Sequence, residues 1–140
     1  MTGRRSRQTR QIAAVPVRRT ERLGLEVLLV TSRETHRWVV PKGWPWADVD
    51  DHAAAEGEAW EEAGVKGRVA PASIGTFSYD KRLKRRSVPL EVTVYLLEVE
   101  EMADDWPERR ERHRQWFALD AAIELIAEEG LKAIHRRLGT

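Results

Sequence analysis

The stretch "PKGWPWADVDDHAAAEGEAWEEAGVKG", residues 41–67, decides how the rest of the chain is read. It opens on a Gly-Trp-Pro-Trp loop and runs into a helix-forming segment carrying Glu56, Glu58, Glu61 and Glu62. Asp48, Asp50 and Asp51 come just before, and no Lys or Arg lies between Gly43 and Val65. Asp50 or Asp51 is expected to cap a helix from about residue 52 to 63, which Gly64 then stops. At ~100° per residue, Glu61 falls about −60° and Glu62 about +40° from Glu58, so the three carboxylates share one face. Ala59, Trp60 and Ala63 are expected on the other side, packed against a sheet. Like charges at i,i+3 and i,i+4 cost a helix roughly 0.2–0.5 kcal/mol per pair, so some compensation is expected. A hard divalent cation, Mg²⁺ or Mn²⁺, is the simplest one, because it prefers carboxylate and carbonyl oxygens. Taken alone, however, the E-x-x-E-E spacing reads more simply as a solvated acidic face.

The whole chain sets the bounds. Its 140 residues suit one domain, able to bury roughly 65–70% of its unfolded surface. Hydrophobic residues make up 41%, and no apolar run approaches the ~18 residues of a membrane span, so no membrane partner is expected. Residues 1–10, "MTGRRSRQTR", carry four arginines with no apolar stretch behind them; they read as a basic mobile tail preceding a single domain over 11–140. With no export signal, a cytoplasmic location is the expectation. There is no cysteine, which excludes disulfides and thiolate chemistry. The net charge of +1 conceals segregation: basic residues gather in "DKRLKRR" (80–86) and "ERRERHR" (108–114), acidic ones between 48 and 62. Such separation suits either a mosaic surface or a metal site facing a polyanion clamp.

Strand-like runs occupy 11–19, 23–33, 36–43, 66–83 and 87–101, with a short one at 115–117. Asp120 is placed to cap "AAIELIAEEG", and "LKAIHRRLG" forms a last helical stretch ended by Gly139. Strands dominate, with one helix in the middle and helices at the end. The expected fold class is α+β, a sandwich built on a mixed sheet.

Gly43 stands fifteen residues before Glu58, and "EAWEEAGV" (58–65) closes the run. This pattern resembles the Nudix box, G-x5-E-x7-R-E-U-x-E-E-x-G-U, with Gly43, Glu58, Glu61, Glu62, Gly64 and Val65 in register and Ala59 at the first U. "RWVVPKG", "LEVTVYLLEVEEMADDWPE" and "RQWFALDAAIELI" extend the likeness over roughly residues 11–137, toward bacterial relatives of the diphosphoinositol polyphosphate phosphohydrolases. The resemblance implies an α/β/α sandwich around a mixed β-sheet. It also implies Mg²⁺ (or Mn²⁺) held by the Gly43 carbonyl, Glu58 and Glu62, with Glu61 a further ligand or the base that activates water. Glu58, Glu61 and Glu62 are thus the candidate catalytic residues, for attack on a phosphoanhydride.

Two box positions depart from the pattern. Val49 stands at the first acid, a position that is mainly structural in the family. Gly57 stands where the family has an arginine that pairs with a glutamate and orients the metal-binding carboxylates. Glycine there removes that charge and costs about 1 kcal/mol in a helix interior. Lys66 and Arg68 are near enough in sequence to substitute, and Gly57→Arg is expected to raise turnover modestly.

Substrate contacts are proposed from the residues themselves. Lys81, Arg82, Lys84, Arg85 and Arg86 form a candidate polyanion clamp, because guanidinium groups bind phosphate in a bidentate way; a solvated hairpin tip is the alternative. Trp44 and Trp46 read either as an aromatic wall for a ring-bearing substrate or as loop packing. Trp60, Trp106 and Trp116 read as core or scaffold, and the four histidines show no metal-ligand spacing. The leading expectation is a Mg²⁺-dependent pyrophosphohydrolase. Its small phosphorylated substrate would be a nucleoside diphosphate derivative, a dinucleoside polyphosphate or a diphosphoinositol polyphosphate. Gly57 keeps open a weakened sensor that binds a nucleotide metabolite without turnover. An RNA-directed role ranks last, since no RNA-binding motif is present, and nucleic acid is not an expected partner.

Overall fold

The structure is a computed structural model that describes residues 9–139. Two apolar strands, β1 (Arg10–Thr20) and β2 (Gly24–Thr31), pair antiparallel next to their turn. Farther along they diverge, and two short strands fill the gap. β3 (Trp38–Val39) pairs with the end of β2, and β4 (Lys42–Gly43) pairs with the start of β1. The expected strand over 36–43 is therefore two pieces, broken at Val40 and Pro41, where the Pro41 carbonyl accepts from Ala14 N–H. Proline cannot donate to a ladder, so the chain changes partner at that point.

Helix α1 (Asp51–Ala63) follows, then β5 (Val65–Val69), β6 (Gly75–Arg82) and the long β7 (Ser87–Met102). The expected single strand over 66–83 is in fact β5 and β6, separated by the Ala-Pro-Ala-Ser turn beginning at Ala70. Both lie along the same edge of β7, β6 on its first half and β5 on its second. The other edge of β7 runs parallel to β1, which makes the sheet mixed. β8 (Arg114–Ala118) closes the far side on β2, and α2 (Leu119–Leu125) and α3 (Glu129–Leu138) end the chain.

Alternation along the central strands sorts the core into two layers. Ile12, Ala14, Leu28, Val30 and Leu97 face Ala54, Ala55, Ala59 and Ala63 of α1. Ala13, Val15, Val17, Val27 and Leu29 face Ala122, Ile126, Leu131 and Ile134 of the C-terminal helices and the segment joining them. The result is an α/β/α sandwich. The alanine stripe lets α1 lie close on the sheet, bringing its other face to the mouth of the β1–β2 gap.

Three expectations are corrected. Asp50 precedes α1, but its side chain makes no capping hydrogen bond. Asp120 lies inside α2, which begins at Leu119 after Ala118 and ends at Leu125, so the helix expected over 121–130 is cut short. Of the segment read as a tail, residues 1–8 lie outside the described residues; Arg10 is already in β1 and pairs with Asp51 at 2.7 Å. No helix among the described residues is long and apolar enough to cross a membrane.

Candidate active site

Gly43, at the end of β4, and Glu58, midway along α1, meet where β1 and β2 part. A Cβ built at Gly43 would run into the Glu58 carboxylate, so the carboxylate lies directly against that backbone. Glu62, one turn on, is buried at 6% exposure. Trp60 departs from expectation: it is half-exposed, with Lys66 Nζ 4.8 Å from its ring. At ~100° per residue Trp60 lies about 100° from Ala59, at the rim of the alanine stripe rather than within it.

A loop from the distant end of β7 finishes the helix. Gly64 takes the left-handed conformation (φ 69°) and its N–H bonds to the Trp60 carbonyl at 2.9 Å, the expected stop. The carbonyls that α1 leaves open are each met from the loop or β8. Glu108 N–H donates to Glu61 O, the Trp106 indole to Glu62 O and the Arg114 guanidinium to Ala63 O. Trp106 and Arg114 also stack, at 4.0 Å. The scaffold reading of Trp106 agrees with this arrangement.

Electrostatically the site is short of positive charge on its carboxylates. Burial is the main cause that pushes the Glu62 carboxyl up to about 8; Arg112 opposes this, while Glu58 and Glu108 add to it. Burial also raises Glu58, the Trp46 N–H holds it back in part, and Glu61 adds repulsion. Lys42, beside Gly43, is lowered by burial, with Glu62 and Glu128 pulling the other way. Among the described residues no three acidic or histidine side chains form a complete cage for a cation. Mg²⁺ commonly takes one or two carboxylates and completes its shell with water and substrate phosphates. Two neighbouring carboxyl groups held up by burial, beside a backbone glycine, fit that demand.

The cation that faces Glu62 is Arg112, a residue that sequence reasoning missed. Its Nη2 is 3.7 Å from Glu62 Oε2, its Nε 2.6 Å from Glu108 Oε1, and its Nη1 donates to the Thr31 carbonyl at 3.0 Å. Neither Lys66 nor Arg68 takes the place left by Gly57, since Arg68 pairs with Glu98 at 2.6 Å and Lys66 sits on Trp60. The only signal was the basic run 108–114, which gave no direction. Trp46 lies over the Gly57 position, with the end of its ring where a Cβ would stand, so an arginine at 57 fits only if the indole moves aside.

Of the three candidate carboxylates, Glu62 lines a cleft of about 490 Å³, together with Arg33, Arg37, Lys42, Lys81, Arg82 and Arg112, whereas Glu58 and Glu61 do not line it. Of the basic run, Lys81 and Arg82 line this cleft. Lys81 and Arg86 line an adjoining, mostly apolar hollow of about 580 Å³ that includes Trp44, Leu83 and Leu90. Lys84 and Arg85 sit at the exposed turn between β6 and β7 and line neither. Trp44 is 37% exposed, facing that hollow, whereas Trp46 donates its indole N–H to Glu58 Oε2 at 2.9 Å.

An α/β/α sandwich with this glycine-to-helix junction is the Nudix fold. Solved structures with the same architecture include an Ap4A hydrolase of C. elegans (TM-score 0.65, 19% identity, 95% of this chain and 97% of that one). A Nudix hydrolase from Nitrosomonas europaea aligns with TM-score 0.70 at 15% identity over 95% and 90% of the two chains. Sequence relatives agree. Nudix hydrolase 12, mitochondrial, of Arabidopsis thaliana is 38% identical over 114 residues, covering 77% of this chain and 55% of that protein. Human diphosphoinositol polyphosphate phosphohydrolase 3-beta is 38% identical over 104 residues, 72% of this chain and 60% of that protein. The chain thus spans little more than half the length of these curated relatives, and no protein-family model matches it. The chain belongs to the Nudix superfamily.

Proposed function

We propose that the protein is a Mg²⁺-dependent pyrophosphohydrolase, with Mn²⁺ able to substitute, acting on a small phosphorylated substrate. The observation that carries this reading is Glu58 held against Gly43, one helical turn from Glu62, which lines a cleft rich in Arg and Lys. Glu58, Glu62 and the Gly43 carbonyl would hold the cation. A bound Mg²⁺ would supply neutralisation of phosphate oxygens and a lowered pKa for an attacking water. Glu61, on the same helix face, would take up the proton of that water. Lys42, Arg37, Lys81 and Arg82 would hold phosphates, each lowering the charge that builds during in-line attack.

The substrate class follows from the same cleft. Several cations converge there, which favours a substrate with more than two phosphates, such as a dinucleoside polyphosphate or a diphosphoinositol polyphosphate. The names of the C. elegans and human relatives agree with those two classes. The hollow beside Trp44 shares Lys81 with the cleft and would receive a ring attached to the phosphates. A sensor without turnover is disfavoured, because Arg112 and Trp46 already engage the two carboxylates that Gly57 was read as leaving unsupported.

Phosphate release from a panel of both polyphosphate classes and of nucleoside diphosphate derivatives, with Mg²⁺ and with chelator, tests this. At least one compound should be cleaved only with Mg²⁺, and Glu58→Gln with Glu62→Gln should abolish the cleavage. Turnover unaffected by that pair of substitutions, or no turnover across the panel, would overturn the reading.

A further inference from the structure

Gly57 and Trp46 fit one another. The glycine has no side chain, and a Cβ there would overlap the six-membered ring of the Trp46 indole, so the ring lies flat against the helix at that point. From the same position the indole N–H reaches Glu58 Oε2 at 2.9 Å. The Glu58 carboxylate in turn rests on Gly43. One aromatic side chain is therefore fixed at two points, the backbone of residue 57 and the carboxylate of residue 58.

Resting on the hydrolase reading above, we propose that Trp46 is a positioning residue that holds Glu58 against Gly43, and that Gly57 is the gap that admits it. The indole takes over the orienting part of the arginine that the Nudix pattern places at residue 57. Three physical points support the substitution. The indole N–H only donates, so it fixes the direction of one carboxylate oxygen while leaving the other free for a cation. Being neutral, it leaves the full negative charge on Glu58, where a guanidinium would offset it. The ring is rigid about few torsions, so little freedom is lost in holding it there. A side chain at 57 and an indole at 46 exclude each other, so the two positions should behave as a coupled pair.

The test separates this inference from the hydrolase reading by including a measurement without metal. In metal-free protein the Trp46 indole N–H resonance should move upfield in Glu58→Ala, as its acceptor is lost, while the other indole signals stay in place. In Mn²⁺ titrations, Trp46→Phe keeps an aromatic ring at 46 but loses the donor and the far ring edge that reaches Gly57. It should weaken binding about tenfold, the lower end for outer-shell partners of metal ligands. The same variant should lower kcat with KM unchanged. Gly57→Arg alone should be worse than Trp46→Phe, and Gly57→Arg combined with Trp46→Ala should bind Mn²⁺ more tightly than Trp46→Ala alone. An indole resonance indifferent to Glu58→Ala overturns the inference, as does a Trp46→Phe variant with parental Mn²⁺ affinity and kcat. If the parent protein binds no divalent cation, the hydrolase reading fails, and the resonance still decides whether Trp46 holds Glu58.

Discussion

Arg112 and Glu62 face one another across 3.7 Å, with both side chains less than a tenth exposed. They come from a loop and a helix fifty residues apart in sequence. Arg112 also bonds Glu108 and the Thr31 carbonyl, so it ties α1, β2 and the loop after β7 together. Removing one member of a buried charge network leaves the others without partners, which typically costs about 3–5 kcal/mol. Arg112→Met should therefore lower unfolding stability by about 3 kcal/mol, measured in urea. Arg112→Lys should recover little of it, because an ammonium cannot reproduce the planar fork that bonds Glu108 and the Thr31 carbonyl while facing Glu62. A change below about 0.5 kcal/mol in either variant would show that the pair is incidental.

The pH dependence of metal-free stability reports on Glu62. Its carboxyl is raised from 4.5 to about 8, chiefly by burial, so the folded protein keeps a proton that the unfolded chain gives up. Stability from this group is full below the unfolded value and is lost as pH rises through the folded one. Between about pH 5 and pH 8.5 the protein should lose on the order of a few kcal/mol, and Glu62→Gln should flatten that fall. The buried His135 ring acts in the opposite sense, since its pKa is lowered, so the difference between parent and variant is the quantity to read. Identical slopes in the two proteins would contradict the assignment.

Much of this was legible in residues 41–67, and the reasons are physical. The alanine spacing fixes which face of α1 meets the sheet, and Gly64 needs its left-handed conformation wherever the helix stops. Glu58 and Glu62 are one turn apart on any helix. What stayed hidden depends on chain reversals that no local pattern encodes. Arg112 looked like one of several arginines in a solvated run, and Trp46 like a loop tryptophan, because the groups they touch lie across a turn or across the sheet. Lys84 and Arg85 show the converse: a run of like charges straddled a hairpin tip, so its members diverged in space.

That divergence sets a prediction for substrate affinity. Arg37→Ala with Lys81→Ala should raise KM, and the increase should grow along a series of substrates with more phosphates, since each phosphate loses a charged partner. Lys84→Ala with Arg85→Ala should leave KM within about twofold, a difference of ~0.4 kcal/mol. Equal effects from the two pairs would return the cleft cations to the status of a solvated surface.

The C-terminal end of α1 offers a structural control. Trp106 covers Gly64 and donates to the Glu62 carbonyl at 3.1 Å. Trp106→Phe keeps the cover and loses one hydrogen bond, so it should cost about 1 kcal/mol. Trp106→Ala should cost about 3 kcal/mol or more and lower Mn²⁺ affinity, because the turn carrying Glu61 and Glu62 loses its support. Calorimetry that finds the two variants equally stable would remove Trp106 from the support of the site.

Glu58, set against Gly43, and Glu62 one turn on are proposed to form a divalent-cation site. Water-proton relaxation during a Mn²⁺ titration measures it directly, in the parent protein and in Glu58→Gln with Glu62→Gln. The parent should bind Mn²⁺ in competition with Mg²⁺, and the double variant should weaken that binding at least a hundredfold, about 2.7 kcal/mol. A double variant that binds Mn²⁺ as the parent does would rule Glu58 and Glu62 out as the ligands.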